Sequence, residues 1–220
     1  MLKKIAAVSL ITSSLLYGDI DARGVFIGLE LGQMNAESSY DRTLNFTSAP
    51  KAYSSKEKYT DASLKLGYQY YFTRVYALIK KKKDLEDKAQ GLYKIQNQTV
   101  ELNVDYLPLF YMNDNKNFTI RGIFGLGIGA NKSKLLEYDP SLDTTGTVAR
   151  ALDKESQMHM EYGYQLGIMC ETSIGFNLEL GYRVRYGDLL EFTNDKNDQG
   201  DKVSFDLYSN EYYIGLNYLF

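Results

Sequence analysis

The only histidine of this sequence, His159, is the side chain whose type best suits acid–base chemistry near neutral pH. A hydrolytic site would need it beside a nucleophile and an acid, and Ser156 is close to it in sequence. The surrounding residues do not form the His-x-Ser-Asn pattern of lipid A deacylases. We therefore expect no catalytic residue here.

A second candidate site is the acidic segment Asp195-Lys196-Asn197-Asp198-Gln199-Gly200-Asp201, with Asp206 further on. Its oxygen-bearing side chains have the spacing of a calcium loop. However, Gln199 stands where Asp or Asn is expected, Asp206 replaces the bidentate Glu, and no helices flank the segment. We expect neither a metal ion nor a cofactor.

Many charged residues of the sequence stand at every second position, between apolar residues. Glu179, Arg183 and Arg185, for example, alternate with aliphatic and tyrosine residues between Phe176 and Tyr186. A period of two predicts β-strands with one charged face and one apolar face. The charged face carries Glu30, Lys65, Glu101, Asp105, Arg121, Glu161, Glu179, Arg183, Arg185 and Glu211.

Eight such runs follow one another along the chain, the third being weaker. They are Gly24–Gly32, Tyr59–Phe72, Arg74–Lys81, Gln98–Tyr111, Asn117–Ala130, Gln157–Glu171, Phe176–Tyr186 and Leu207–Phe220. Pro108 suits the end of the fourth strand. Between the runs, short and long joins alternate. The short joins are at Thr73, Met112–Lys116 and Thr172–Gly175, and the long joins are Asn35–Lys58, Lys82–Asn97, Asn131–Ser156 and Asp188–Asp206.

This sorting of joins is typical of transmembrane barrels, in which periplasmic turns are short and surface loops are long. An apolar face suits contact with lipid, whereas the charged face needs a wet or ion-paired lumen. The sequence therefore predicts an all-β fold: an eight-stranded antiparallel up-and-down transmembrane β-barrel. Because the number of strands is even, both chain termini are expected on the periplasmic side.

The composition agrees with this fold. The 220 residues are 44% hydrophobic and include 20 Tyr and 10 Phe but no Trp, yet no apolar run reaches the roughly 20 residues of a transmembrane helix. A net charge of −3 argues against nucleic-acid binding through phosphate neutralisation. The single Cys170 cannot form an intramolecular disulfide, and it falls on the apolar face.

The first residues have the layout of a secretory signal. Met1-Leu2-Lys3-Lys4 is a short basic start, and an apolar run from Ile5 to Tyr17 follows it. We expect residues 1–22 to be a signal peptide, cleaved after Gly18 or Ala22, and residues 23–220 to form the barrel.

An eight-stranded barrel is only wide enough for its own side chains to fill it. We therefore expect the charged face to form ion pairs that plug the lumen. A narrow ion pathway is the alternative.

The basic cluster Lys80-Lys81-Lys82-Lys83 is expected where the third strand enters a surface loop. Asp84, Glu86 and Asp87 offset its charge, so we expect a solvated loop, and binding of lipopolysaccharide phosphates is the alternative.

The sequence ends on Tyr213-Ile214-Gly215-Leu216-Asn217-Tyr218-Leu219-Phe220. Gly215, Tyr218 and Phe220 resemble the terminal signal by which outer-membrane barrels engage the barrel assembly machinery. Tyr213 departs from that pattern, in which a polar residue precedes the Gly. The pattern of strands resembles the small porin-like barrels that include the OmpA transmembrane domain, OmpX and opacity-type adhesins.

The resemblance implies a non-enzymatic integral outer-membrane protein with a structural or surface-interaction, adhesin-like role. Its expected partners are outer-membrane lipid and lipopolysaccharide, the barrel assembly machinery, and a host or surface ligand bound through the loops. Two alternatives stay open: a narrow porin or ion channel, and a lipid-modifying outer-membrane enzyme that would depend on His159.

Overall fold

The computed structural model describes residues 23–43, 53–81, 85–86, 93–138, 157–194 and 201–220. The predicted signal peptide, residues 1–22, lies outside them. The strands are β1 (Arg23–Thr43), β2 (Tyr53–Tyr70), β3 (Thr73–Lys81), β4 (Leu85–Glu86), β5 (Tyr93–Tyr106), β6 (Leu109–Met112), β7 (Phe118–Tyr138), β8 (Gln157–Thr172), β9 (Phe176–Asn194) and β10 (Asp201–Leu219).

Among the described residues, eight strands form a closed antiparallel barrel. Each long strand pairs with the next one along the chain, and β10 pairs with β1, so that Phe26 lies opposite Leu219. Strand β5 pairs with β7, which joins the two halves of the sheet. The short strands β4 and β6 pair with the ends of β5 and β7. The predicted eight-stranded up-and-down barrel is confirmed.

Pro108 interrupts a strand where the sequence predicted an end. It lies between β5 and β6, and pairing with β7 resumes at Leu109. Because proline has no N–H to donate, the ladder is interrupted here, and a bulge follows between Leu109 and Tyr111. The neighbouring backbone groups are satisfied: the Gly122 N–H donates to the Pro108 carbonyl at 2.9 Å, and the Leu107 N–H donates to the Phe72 carbonyl at 2.6 Å.

Three short turns lie at the end of the barrel that also holds Arg23 and Phe220, which we call the turn end. The first turn is formed by Tyr71 and Phe72, so Thr73 begins β3 and does not form the join, contrary to the prediction. Tyr71 has a φ of 50° and Gly175, in the third turn, has a φ of 86°. This left-handed backbone is what lets so few residues reverse the chain.

The two faces of the strands are sharply different. On β1, Leu29 is 67% exposed and its neighbour Glu30 is 1% exposed. In a closed barrel the exposed face is the outer wall and the buried face lines the lumen. The outer wall is therefore aliphatic and aromatic, and the lumen is polar, as predicted. The described residues contain no helix that is long and apolar enough to cross a membrane.

The strands extend further than the sequence pattern suggested. Strand β1 runs to Thr43 and β2 begins at Tyr53, so the join predicted as Asn35–Lys58 is reduced to residues 44–52. A membrane requires only about 9–11 residues of a tilted strand. The outer wall becomes polar beyond Leu31, at Gln33, while pairing with β2 and β10 continues. The opposite end of the barrel, the loop end, therefore projects beyond the apolar band.

Aromatic rings border the apolar band. Towards the loop end, the Tyr186 ring lies 5.9 Å from Tyr162 and 5.2 Å from Tyr208 between ring centroids. At the turn end, the Phe176 and Tyr218 rings are 5.0 Å apart. Tyrosine at both edges of an apolar band is typical of membrane–water interfaces.

Candidate functional site: the charged lumen

The structure places all ten charged residues singled out from the sequence in the barrel lumen. Each is buried, with at most 3% of its surface exposed. They come from seven of the eight barrel strands and converge on one volume because alternate residues of every strand point inwards.

The centre of the lumen is an ion-pair cluster around Glu179. The Lys65 ammonium lies 2.8 Å from Glu179 and 2.6 Å from Glu30, so it bridges two carboxylates. The Arg74 guanidinium contacts Glu179 as well, and its Nε donates to Asp105 at 2.6 Å. Each buried charge here has at least one partner of opposite sign, which offsets the cost of its desolvation.

A second group of ion pairs lies next to the first, towards the loop end. Arg183 donates two hydrogen bonds to Glu30, at 2.6 and 3.1 Å, and a third to Glu211 at 3.0 Å. The Lys80 ammonium lies 2.5 Å from Glu211. Arg185 donates to Glu101 from Nε at 2.9 Å and from Nη2 at 2.7 Å. The Arg183–Glu30 pair uses both carboxylate oxygens, which fixes the positions of both side chains, whereas both Arg185 nitrogens donate to the single oxygen Oε2 of Glu101.

At the turn end both polar and apolar side chains contact one another in the lumen. Arg121 pairs with Glu171, which also accepts hydrogen bonds from Gln69 at 2.6 Å and from Thr119 at 2.9 Å. A small apolar cluster lies in the same region, formed by Leu107, Ile123 and Met169, each 0% exposed. Water would have to pass both layers to cross the barrel.

Aromatic rings fill the space between the charges. Arg183 lies over the Tyr213 ring, 4.5 Å from its centroid, and Lys65 lies over the same ring at 4.9 Å. Arg74 lies 5.0 Å from the Tyr76 centroid. Such cation–π contacts help to replace lost hydration. Tyr213, the departure from the terminal-strand pattern, therefore occupies the core of the network.

Glycine makes room for these large side chains. A Cβ at Gly125 would come within 2.0 Å of an Asp105 carboxylate oxygen, and one at Gly32 within 1.9 Å of a Glu211 oxygen. The glycines of the polar face thus allow charged side chains from neighbouring strands to cross the narrow lumen.

The prediction for Lys80 was wrong. It lies in the lumen, 0% exposed at its side chain, and not in a basic surface loop. The lumen face of β3 consists of Arg74, Tyr76, Leu78 and Lys80, all buried. Lys82 and Lys83 lie outside the described residues. Lys80 therefore neutralises lumen carboxylates and is not available to lipopolysaccharide.

Sequence reasoning missed several other members of the network, chiefly Arg74, Asp61 and Glu171. All three are buried on the lumen face of their strands. Glu171 stands on the polar face predicted for its run, although it was not among the charges singled out, and Asp61 continues the alternation of its own run, so the period of two could have found it. Arg74 begins the weakest run, in which the apolar face is short.

The other candidate residues gain no chemical role from the structure. The His159 Nε2 lies 3.0 Å from the Gln157 amide oxygen, and Ser156 lies outside the described residues. Cys170 is a free, half-buried thiol. Residues 195–200 of the calcium-like segment are outside the described part of the chain. Within that part, no group of three or more His, Cys, Asp or Glu side chains has the arrangement of a metal site.

The residues of the terminal-strand pattern lie on both faces of β10. Gly215 is buried on the lumen face, whereas Tyr218 and Phe220 are exposed on the outer wall. The rings of Tyr218 and Phe220 are 4.9 Å apart and lie at the turn end.

No family model matches this sequence, and no curated protein matches it significantly. Solved structures of similar fold include Neisserial surface protein A, with 13% identity, a TM-score of 0.50, and coverage of 90% of this chain and 97% of that one. Another is the outer membrane protein OprG from Pseudomonas aeruginosa, with 15% identity, a TM-score of 0.47, and coverage of 92% and 100%. The chain thus has the fold of the small eight-stranded outer-membrane β-barrels.

Proposed function

We propose that this protein is a non-enzymatic integral outer-membrane barrel with a closed lumen and a structural or surface-interaction role. The fold and the continuous apolar outer wall support insertion into a membrane. Outward side chains such as Leu29, Leu126 and Leu216 are 54–71% exposed. In water so large an apolar surface would favour association, whereas lipid accommodates it.

The observation that carries the closed lumen is the ion-pair network. Positive and negative side chains contact one another across the whole width of the barrel, as Lys65 does with Glu179. The Arg121–Glu171 pair and the apolar cluster of Leu107, Ile123 and Met169 add a further barrier at the turn end. Ion conduction would require these contacts to break.

The loop end supports the surface-interaction role. The chain segments 44–52, 82–92, 139–156 and 195–200 all connect strands at this end. The projecting strand ends form a rigid scaffold, and segments that connect the strands of such a scaffold commonly carry binding function. A host or surface ligand would bind here, while Gly215, Tyr218 and Phe220 would engage the assembly machinery.

Lipopolysaccharide contact is assigned to a different basic surface from the Lys80–Lys83 cluster. Lys132 and Lys134 are exposed on the outer wall of β7, beyond the apolar residues Leu126 and Ile128. Ammonium groups at this height would meet lipid phosphates at the edge of the membrane.

The closed lumen is tested by electrical recording. We expect the refolded protein to insert into a planar bilayer without discrete conductance steps, because the ion pairs block the lumen. Insertion is verified in parallel by the resistance of the barrel to protease in lipid vesicles. Reproducible single-channel steps from the inserted protein would contradict the closed barrel and favour a narrow channel.

The orientation of the barrel is tested by labelling in intact cells. We place the turn end in the periplasm and the loop end outside. In a Cys170→Ala background, Glu137→Cys at the loop end should react with a membrane-impermeant maleimide. Asp114→Cys, in the exposed turn between β6 and β7, should react only after the outer membrane is broken. The reverse pattern would place the termini at the cell surface.

A further inference from the structure

The loop end of the lumen contains buried polar atoms that lack hydrogen-bond partners. Asp61 is 5% exposed, and neither of its carboxylate oxygens has a hydrogen-bond partner. The Thr99 hydroxyl and the Asn131 amide nitrogen, which face each other across β5 and β7, are also buried and unsatisfied. Because an unsatisfied buried polar group is costly, water or a ligand bound to these atoms would stabilise this end of the lumen.

The Asp61 carboxylate is directed at a second carboxylate. Asp61 Oδ1 and Glu211 Oε1 both approach the α-carbon of Gly32, at 2.8 and 1.9 Å from the position that a Cβ would take there. Lys80 and Arg183 contact the other oxygen of Glu211, Oε2, at 2.5 and 3.0 Å. The two oxygens without hydrogen-bond partners therefore both lie beside Gly32, with Lys80 and Arg183 on the other oxygen of Glu211.

The charge balance of the lumen points in the same direction. Among the described residues, the buried lumen carries eight carboxylates and six basic side chains. The carboxylates are Glu30, Asp61, Glu101, Asp105, Glu161, Glu171, Glu179 and Glu211, and the basic groups are Lys65, Arg74, Lys80, Arg121, Arg183 and Arg185. Carboxylates therefore outnumber basic groups by two among these described side chains, and a divalent cation would offset that negative charge.

We propose that the loop end of the lumen binds one hydrated divalent cation between the carboxylates of Asp61 and Glu211. Two carboxylates and water molecules are the ligands that Mg²⁺ commonly uses in proteins. The loop-end position lets the cation enter from outside without crossing the ion-pair network. The hydroxyl of Thr99, which lies opposite Lys80 in the β3–β5 register, can receive hydrogen bonds from the cation's water shell.

The test uses Mn²⁺, a paramagnetic ion of the same ligand preference, with protein refolded without lipopolysaccharide in a neutral sugar detergent. Electron paramagnetic resonance of the free ion measures binding. We expect one saturable site per barrel, and an apparent Kd at least about tenfold weaker for Asp61→Asn, which loses one of the two charged ligands. Bound Mn²⁺ should also raise the melting temperature of the unaltered protein but not that of Asp61→Asn.

Asp114→Asn is the matched control, because it removes an exposed carboxylate at the opposite end of the barrel and should bind Mn²⁺ like the unaltered protein. Circular dichroism verifies that Asp61→Asn keeps its strands. Absence of a saturable site in the unaltered protein would overturn the proposal and leave water, or a proton shared by the two carboxylates, between Asp61 and Glu211. Equal binding by Asp61→Asn would overturn it too.

Discussion

Glu179→Ala should destabilise the barrel by about 3–5 kcal/mol, the usual cost of removing one partner from a buried ion pair. Glu179 is 0% exposed and contacts Lys65, Arg74 and Asn217. Without it, two cations share the lumen with less compensation, and a cavity is left between them. Equilibrium unfolding in urea, in detergent or vesicles, measures the change in the free energy of unfolding.

Two further variants separate the contributions to this loss. Glu179→Gln keeps the volume and removes the charge, so it should recover only the part that is due to the cavity. Asp114→Ala removes an exposed carboxylate and should change the free energy of unfolding by less than about 0.5 kcal/mol. If Glu179→Ala proved as stable as Asp114→Ala, the network would not contribute to holding the lumen closed.

The assignment of residues to the two faces was accessible from the sequence. Lipid outside and a polar lumen inside impose opposite requirements on successive residues, so hydrophobicity alternates along β9 with little ambiguity. The same alternation places Glu30 inwards and Leu29 outwards on β1. Because side-chain direction has a period of two in every strand, these predictions did not depend on knowing the barrel in detail.

Strand β3 shows where this reasoning fails. Its lumen face includes Tyr76 and Leu78, which pack with Phe26 inside the barrel. An apolar residue on the inner face weakens the alternation, and Arg74 and Lys80 then have no clear side. The sequence pattern therefore groups Lys80 with the lysines that follow it and wrongly predicts a position in a surface loop. The pairing of β3 with β2 and β5 fixes which of its side chains point into the lumen, and that pairing cannot be read from a local sequence pattern.

Which lumen charges pair with each other could not be predicted from the sequence, for a different reason. Lys65 and Glu179 are 114 residues apart, and their contact depends on the stagger of strands around the closed barrel. The lengths of the strands were also underestimated, since β1 and β10 remain paired beyond the apolar band, through Thr43 and Lys202. In this projecting part of the barrel, backbone hydrogen bonds hold the strands together, and the sequence lacks the apolar outer face from which the strands could be predicted.

Leu29→Arg should destabilise the inserted barrel by about 2–4 kcal/mol, because it places a charge near the middle of the outer apolar band. Leu29 lies opposite Leu64 on β2 and Leu216 on β10, and all three side chains are exposed on the outer wall. In a water-soluble barrel, the same change at a residue that is 67% exposed would cost almost nothing. The size of the change in the free energy of unfolding therefore shows whether the outer wall is in contact with lipid or with water.

Gln33→Arg is the matched control for this experiment. It lies on the same strand and the same face, beyond the apolar band towards the loop end, and its side chain is exposed. We expect it to change the free energy of unfolding in lipid vesicles by at most about 1 kcal/mol, as for charges near a membrane interface. If Leu29→Arg and Gln33→Arg had equal, small effects, the apolar band would not be in hydrocarbon. A large difference between them would instead locate the membrane at the level of Leu29, with Gln33 outside it.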